Sequence, residues 1–160
     1  MLFVMLLVTY DKWDKLFSMI PSLETENVSA YYDTEARITF VTYRGELNAQ
    51  VTDTYYQWLN RLIVALDGAV SRGVVFDFRA VTNFHKSNLI ATNRNSRQTK
   101  RRHPNTHTHP VALITATMYQ ESMVRITTHL TGQEWRKQIV HTMDDAIAFI
   151  DSWHDHRAYI

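Results

Sequence analysis

The chain has no cysteine, only four glycines and three prolines. Without cysteine there is no disulfide framework, no thiolate metal ligand and no thiol nucleophile, and the chain suits a reducing, cytoplasmic setting. The glycines, Gly45, Gly68, Gly73 and Gly132, stand far apart. A dinucleotide loop or a P-loop needs clustered glycines so that backbone can approach phosphate, so both are excluded. There is no Gly-x-Ser-x-Gly elbow and no His-Glu-x-x-His pair. The only adjacent carboxylates, Asp144 and Asp145, fit a helix start, where negative charge meets the positive end of the dipole. No catalytic residue set and no cofactor site is expected. Long apolar runs are missing too: Met1 to Val8, MLFVMLLV, is too short to span a bilayer and lacks the basic leader and cleavage site of a secretory signal.

Acidic charge is absent from one stretch in particular. Between Phe78 and Gln120 no Asp or Glu occurs, whereas Arg79, Lys86, Arg94, Arg97, Lys100, Arg101 and Arg102 all lie there. The segment carries +7 and the remainder −6, although the net charge is +1. Such a split points to an anionic partner.

At 160 residues, 45% hydrophobic and 21% charged, the chain is the size and composition of one globular domain. Gly73 to Phe78 is a short apolar run rich in β-branched and aromatic residues, as a strand buried on both faces requires. Before it, Val28 to Tyr43 alternates around the polar turn Asp33-Thr34-Glu35 and reads as a hairpin. Asn48 is positioned to cap a long helix from Ala49 to Val70, whose stripe of Val51, Tyr55, Trp58, Leu59, Leu62, Ile63, Leu66 and Val70 has period 3.6. Ser87 to Arg102 reads as a second helix, apolar only at its start. Val111 to Thr115 is a strand. Thr117 and Gln120 form a capping box for a helix ended by Gly132, although the β-branched run from Arg125 to Leu130 leaves a strand as the alternative. Gln138 to His141 is a last strand, and Thr142 with Asp145 opens a closing helix.

The expected fold is α/β: a mixed, mostly parallel five-stranded sheet with an opening antiparallel hairpin and four helices. Residues 1–26 are expected to form a partly helical extension, with Tyr10, Trp13, Phe17 and Ile20 on one stripe, and 27–157 a single domain. Met19 as the biological start is the alternative for the first 18 residues. Trp58, Leu62, Phe76 and Ile147 are expected to share a core.

Ligands gather beyond the carboxyl ends of strands in such sheets, so Arg79 to Ser87 is the first place to look for a site. Histidines invite a metal reading, but His103, His107 and His109 lack an acid or thiol to complete a shell and stand beside Arg101 and Arg102; no metal site is expected. Arg94, Arg97 and Arg101 recur at three and four and share a helix face that could follow an anionic partner; a solvated surface is the alternative. Nucleic acid is disfavoured, because no aromatic residue interrupts the stretch between Phe84 and Tyr119.

The spacing of Asp77, Val81, Phe84, Ser87 and Leu89 resembles the segment of STAS domains, the bacterial anti-sigma factor antagonists, in which a strand ending in aspartate leads to an Asp-Ser-Ser-Gly-Leu turn at a helix start. The likeness spans roughly residues 27 to 153, and HTMDDAIAFIDSW resembles the ending of STAS/CRAL-TRIO-like proteins. It implies a non-catalytic regulatory domain, with Ser87 in the place of the phosphorylated serine and a kinase or regulator as protein partner. His85 and Lys86 replace the family's Asp and first Ser, and Asn88 its Gly. Arg79, His85, Lys86, Arg94, Arg97, Lys100, Arg101 and Arg102 are the expected partner- or anion-binding residues. A helix cap is the alternative reading of Ser87 with Asn88. An anionic small molecule or lipid head group in a pocket lined by the same helix is the second expectation for a ligand, and self-association into a homodimer is left open.

Overall fold

The computed structural model describes residues 21–66 and 71–157. The expected helix before Pro21, and the positions Gly68 and Val70, lie outside the described residues. In chain order the elements are β1 (Leu23–Glu24), β2 (Val28–Asp33), β3 (Ile38–Leu47), α1 (Ala49–Leu66), β4 (Gly73–Phe84), α2 (Lys86–Arg102), β5 (Val111–Ile114), α3 (Met118–Thr131), β6 (Lys137–Val140) and α4 (Met143–Arg157), with 3-10 turns at Pro104–Thr108 and Glu134–Arg136.

The sheet has six strands in sequential order, β1 to β6. The first two pairings are antiparallel and the last three parallel. The expected fold is found, with one strand more than the five expected: Leu23–Glu24 pairs with Ala30 and Ser29. Two residues are too few to show any alternation in sequence.

Each parallel crossover steps to the neighbouring strand in the same direction, so right-handed connections place α1, α2 and α3 on one face. Two cores result. Val28, Val41, Tyr43, Tyr55, Trp58, Leu62 and Val124 lie between the sheet and these helices. Ile38, Val75, Ala112, Ile114, Ala146 and Ile150 lie between the sheet and α4. The expectation of one shared core therefore needs correction. Trp58, Leu62 and Phe76 do meet, but Ile147 packs on the opposite face, because α4 follows the last strand and covers the side the crossovers leave open.

Two strands run further than their patterns suggest. Gly45 was expected after the hairpin; at φ +65 it instead makes an irregularity within β3, where register shifts fall between Thr42 and Arg44 and between Gly45 and Glu46. Pairing then resumes as far as Leu47 with Phe84. Arg79 to Phe84, beyond the expected strand Gly73 to Phe78, is accordingly strand as well.

Local signals held at the helix starts. Asn48 Oδ1 accepts from Val51 N at 3.1 Å. Thr117 and Gln120 form the reciprocal box, and α3 is helix where β-branched residues had allowed a strand. Gln120 is buried: its Oε1 accepts from Ala116 N and Thr117 N, while its Nε2 donates to the carbonyls of Arg79 and Val81. One side chain thus fastens α3 to the far half of β4, beside the loop of interest.

Candidate functional site at the carboxyl edge of the sheet

At the carboxyl edge, β4 ends at Phe84 and His85 turns the chain into α2. His85 has extended backbone at φ −75 and ψ 147 and makes no side-chain cap. Its Nε2 lies 2.9 Å from Glu46 Oε2 on β3 instead. Ser87, exposed in the first turn of α2, accepts a hydrogen bond through Oγ from Ala49 N, the first residue of α1, at 3.2 Å. Asn88 is buried, and its Oδ1 accepts from the hydroxyls of Thr52 at 2.6 Å and Thr92 at 3.1 Å. The alternative reading of Ser87 and Asn88 as caps of their own helix is therefore corrected: both tie α2 to α1. Beside them, Phe84 N donates to Tyr119 Oη at 3.2 Å, and Met118 is 86% exposed.

The expected basic residues divide into two groups. Three have acidic neighbours. Arg79 is gripped by Asp77, with Nε 3.0 Å from Oδ1 and Nη2 2.7 Å from Oδ2, and that hydrogen bonding holds its pKa above the usual arginine value. His85 meets Glu46, and Arg94 Nη2 reaches Asp53 Oδ1 at 2.8 Å. Lys86, Arg97, Lys100, Arg101 and Arg102 are exposed and form no ion pair among the described residues.

Behind α2 lies a chamber of about 530 Å³ between the sheet and the three helices. It is lined from α2 by Asn88, Thr92, Ser96 and Thr99 and by none of the expected basic residues. The pocket expected to be lined by this helix is present, but the helix lines it with its polar inner face, because the 3.6 periodicity that groups the cations turns them to solvent. Two cations that the sequence reading assigned no role, Arg136 and Lys137, do line the chamber, as do His107 and His109. Arg136 stands immediately before the short edge strand and Lys137 is its first residue; neither belongs to a motif that would have singled it out. No group of metal-ligating side chains occurs among the described residues, and no described helix is long and apolar enough to cross a membrane.

No protein-family model matches the chain, and no curated protein matches it. Solved structures do. An uncharacterised protein with a SpoIIAA-like fold from Shewanella loihica PV-4 superimposes with a TM-score of 0.52 at 14% identity, over 81% of this chain and 98% of that one. The anti-sigma factor antagonist SpoIIAA in its unphosphorylated form gives 0.50 at 12% identity, over 79% and 97%. An anti-sigma factor antagonist from Mycobacterium paratuberculosis gives 0.51 at 14% identity, over 81% and 99%. The fold is therefore SpoIIAA-like, that of the STAS domains, as the segment from Asp77 to Leu89 had suggested. At such identities the likeness is one of fold, and function has to be argued from the site.

Proposed function

We propose that the chain is a non-catalytic regulatory domain that binds a protein partner, a kinase or regulator, through the loop after β4 and the outer face of α2, with phosphorylation of Ser87 as the switch. The observation that carries this reading is the placement of Ser87. It is exposed, it lies in the first turn of α2, and it also accepts the first N–H of α1. A phosphate there would lie beside two helix N-termini, where unsatisfied N–H groups and the dipoles favour negative charge, with Lys86 adjacent. The nearest acid on β3, Glu46, is engaged by His85. The solved SpoIIAA structure is that of an unphosphorylated form, which accords with a switch in that protein.

The free cations of α2 supply the second half of the reading. Arg97, Lys100, Arg101 and Arg102 extend a positive field from the loop, and exposed Ile90 and Met118 give apolar contact at its margin. Charge of one sign at a rim steers association more than it adds affinity. The test is affinity capture from the source cell, then titration of the recovered partner in purified form. Reversal of Arg97 and Arg101 to Glu should slow association, raised salt should weaken it, and Ser87→Asp should change it, all with little change in melting temperature. A partner whose affinity ignores salt and all three substitutions would move the functional surface elsewhere.

A further inference from the structure

The chamber lies on the inward side of the helices, and its two ends differ in character. At the carboxyl edge it begins at Leu47, Phe84 and Asn88; at the amino edge of the parallel strands it ends at His109, Arg136 and Lys137. Aromatic rings pave it between. Tyr43 of β3 stacks with Phe78 of β4 at 5.5 Å and an interplanar angle of 16°, and with Phe76 at 6.3 Å and 8°. Tyr55 of α1 meets Phe76 edge-on at 5.5 Å. Such a volume is within the roughly 300–1,000 Å³ of small-molecule sites, which are likewise mostly apolar with a few convergent polar groups.

The amino end holds two cations that no carboxylate meets in an ion pair among the described residues. Arg136 is only 8% exposed. Its Nε donates to Gln133 Oε1 at 3.1 Å and its Nη1 to the His109 carbonyl at 2.9 Å, both neutral acceptors. Lys137 Nζ donates to Thr131 Oγ1 at 2.7 Å and to the Gly132 carbonyl at 2.6 Å, also neutral. Neither cation forms an ion pair among the described residues, and the adjacent Glu134 lies against His129 at 2.8 Å. Burial, then the charge of Arg136, pushes Lys137 down to about 8, against the opposing charge of Glu134. Burial, then Arg136, Lys100 and Lys137, pushes His107 down to about 4, so that histidine is neutral and adds no charge. Buried charges are ordinarily paired, and an unpaired one is costly to keep. Arg136 Nη2 has no acceptor among the described residues, and Tyr43 and Tyr55, whose hydroxyls burial holds protonated, line the same chamber.

From this arrangement we infer that the chamber binds an apolar acid, its carboxylate held by Arg136 with Lys137 behind it and its body lying along Tyr43, Phe76 and Phe78. A planar guanidinium edge matches a planar carboxylate, and tyrosine hydroxyls complete the set of donors. The inference stands independently of the partner surface on the outer face of α2, since the two share no charged residue.

The experiment is a calorimetric titration of the full chain with four probes: oleate and 1-pyrenebutyrate, and the alcohol corresponding to each. Acid and alcohol share a body, so their ratio reads the charged end alone; oleate and pyrenebutyrate separate an acyl from an aryl body. Wild type should prefer acid over alcohol by about tenfold or more, and Arg136→Met should bring the ratio near unity. Leu59→Trp fills the chamber from α1 and leaves both cations in the sequence, and it should weaken every probe that binds. Arg61→Met, on the exposed side of α1, should change nothing. Binding of none of the four probes overturns the inference. So does an acid preference that survives Arg136→Met, or affinity that survives Leu59→Trp.

Discussion

Ser87 Oγ lies 3.2 Å from the backbone nitrogen of Ala49, so a hydroxyl in the first turn of one helix accepts the first N–H of another, 38 positions away in sequence. Ser87→Ala removes that acceptor and should cost about 0.5–1.5 kcal/mol, the net worth of one intramolecular hydrogen bond. Ser87→Asp places a carboxylate at the same junction, where the helix ends should favour it by about 0.3–1 kcal/mol. Urea unfolding should therefore rank Asp level with Ser and above Ala. An Asp variant less stable than the Ala variant would mean that the junction does not welcome negative charge, and the phosphorylation switch would lose its physical basis.

A second contact joins Gly73, the first residue of β4, to Ile150 of α4. A Cβ added at Gly73 would lie 3.0 Å from Ile150 Cδ1 and 3.1 Å from the Pro110 carbonyl oxygen. Ile150 is fully buried, so it cannot swing away into solvent. Gly73→Ala should cost about 1–3 kcal/mol by overpacking. Ile150→Val deletes the Cδ1 methyl and should recover part of that loss, so a double-mutant cycle should show coupling of at least about 0.5 kcal/mol. Strict additivity would show that the sheet and α4 are not in contact there.

Features set by near neighbours in sequence were legible in advance, and features set by distant ones were not. Thr117 and Gln120 announced their helix because both halves of a capping box lie within one turn. Asn48 did the same for α1. Gly45 misled: a glycine after a strand reads as its end, yet with φ +65 it sits at an irregularity that lets β3 continue beside β4. A cap is the alternative for Ser87 in sequence because serine at a helix start usually serves its own helix. Its acceptor role appears only when the fold brings Ala49 beside it. The basic stripe of α2 was legible from spacing, but the acids that meet Arg79, His85 and Arg94 could be assigned only in three dimensions. Arg136 carries no sequence signal of its role, which comes from tertiary burial alone.

The chamber's histidines give the protein a dependence on acid. His107 is held down to about 4 by burial and by the charges of Arg136, Lys100 and Lys137, against a backbone hydrogen bond involving Ser96 that works the other way; its Nδ1 also lies 3.0 Å from Thr106 Oγ1. His109 is lowered by burial, Arg136 and His154. A folded-state value below that of the unfolded chain, about 6.5, means that the unfolded state takes up the proton first as pH falls. The stability these groups contribute is thus present above about pH 6.5 and is lost progressively as pH falls towards 4. Melting temperatures across that window should decline in wild type and decline less steeply in His107→Asn. Parallel curves for the two proteins would show that His107 titrates normally.

Arg136 allows a ligand-binding role to be separated from a purely structural one by stability alone. As a structural clamp it would be judged by its bonds to Gln133 and to the His109 carbonyl, each worth about 1.5–3 kcal/mol for a charged donor. Against these stands the desolvation of a guanidinium that forms no ion pair among the described residues, which costs several kcal/mol. The two effects are of similar size and opposite sign, so Arg136→Met should leave ligand-free stability within about 1 kcal/mol of wild type, where loss of a properly paired buried cation costs about 3–5 kcal/mol. The bound state should behave differently. A ligand at a hundredfold excess over its Kd stabilises the folded protein by about 2.7 kcal/mol, and that increment with oleate or pyrenebutyrate should appear in wild type and vanish in the variant. Removing the guanidinium also removes the second cause that lowers His107, so the acid sensitivity of the variant should diminish along with the ligand increment. A large loss of ligand-free stability together with an undiminished ligand increment would make Arg136 a clamp between the loop at His109 and the turn at Gln133, and the acid would have to be held by other groups.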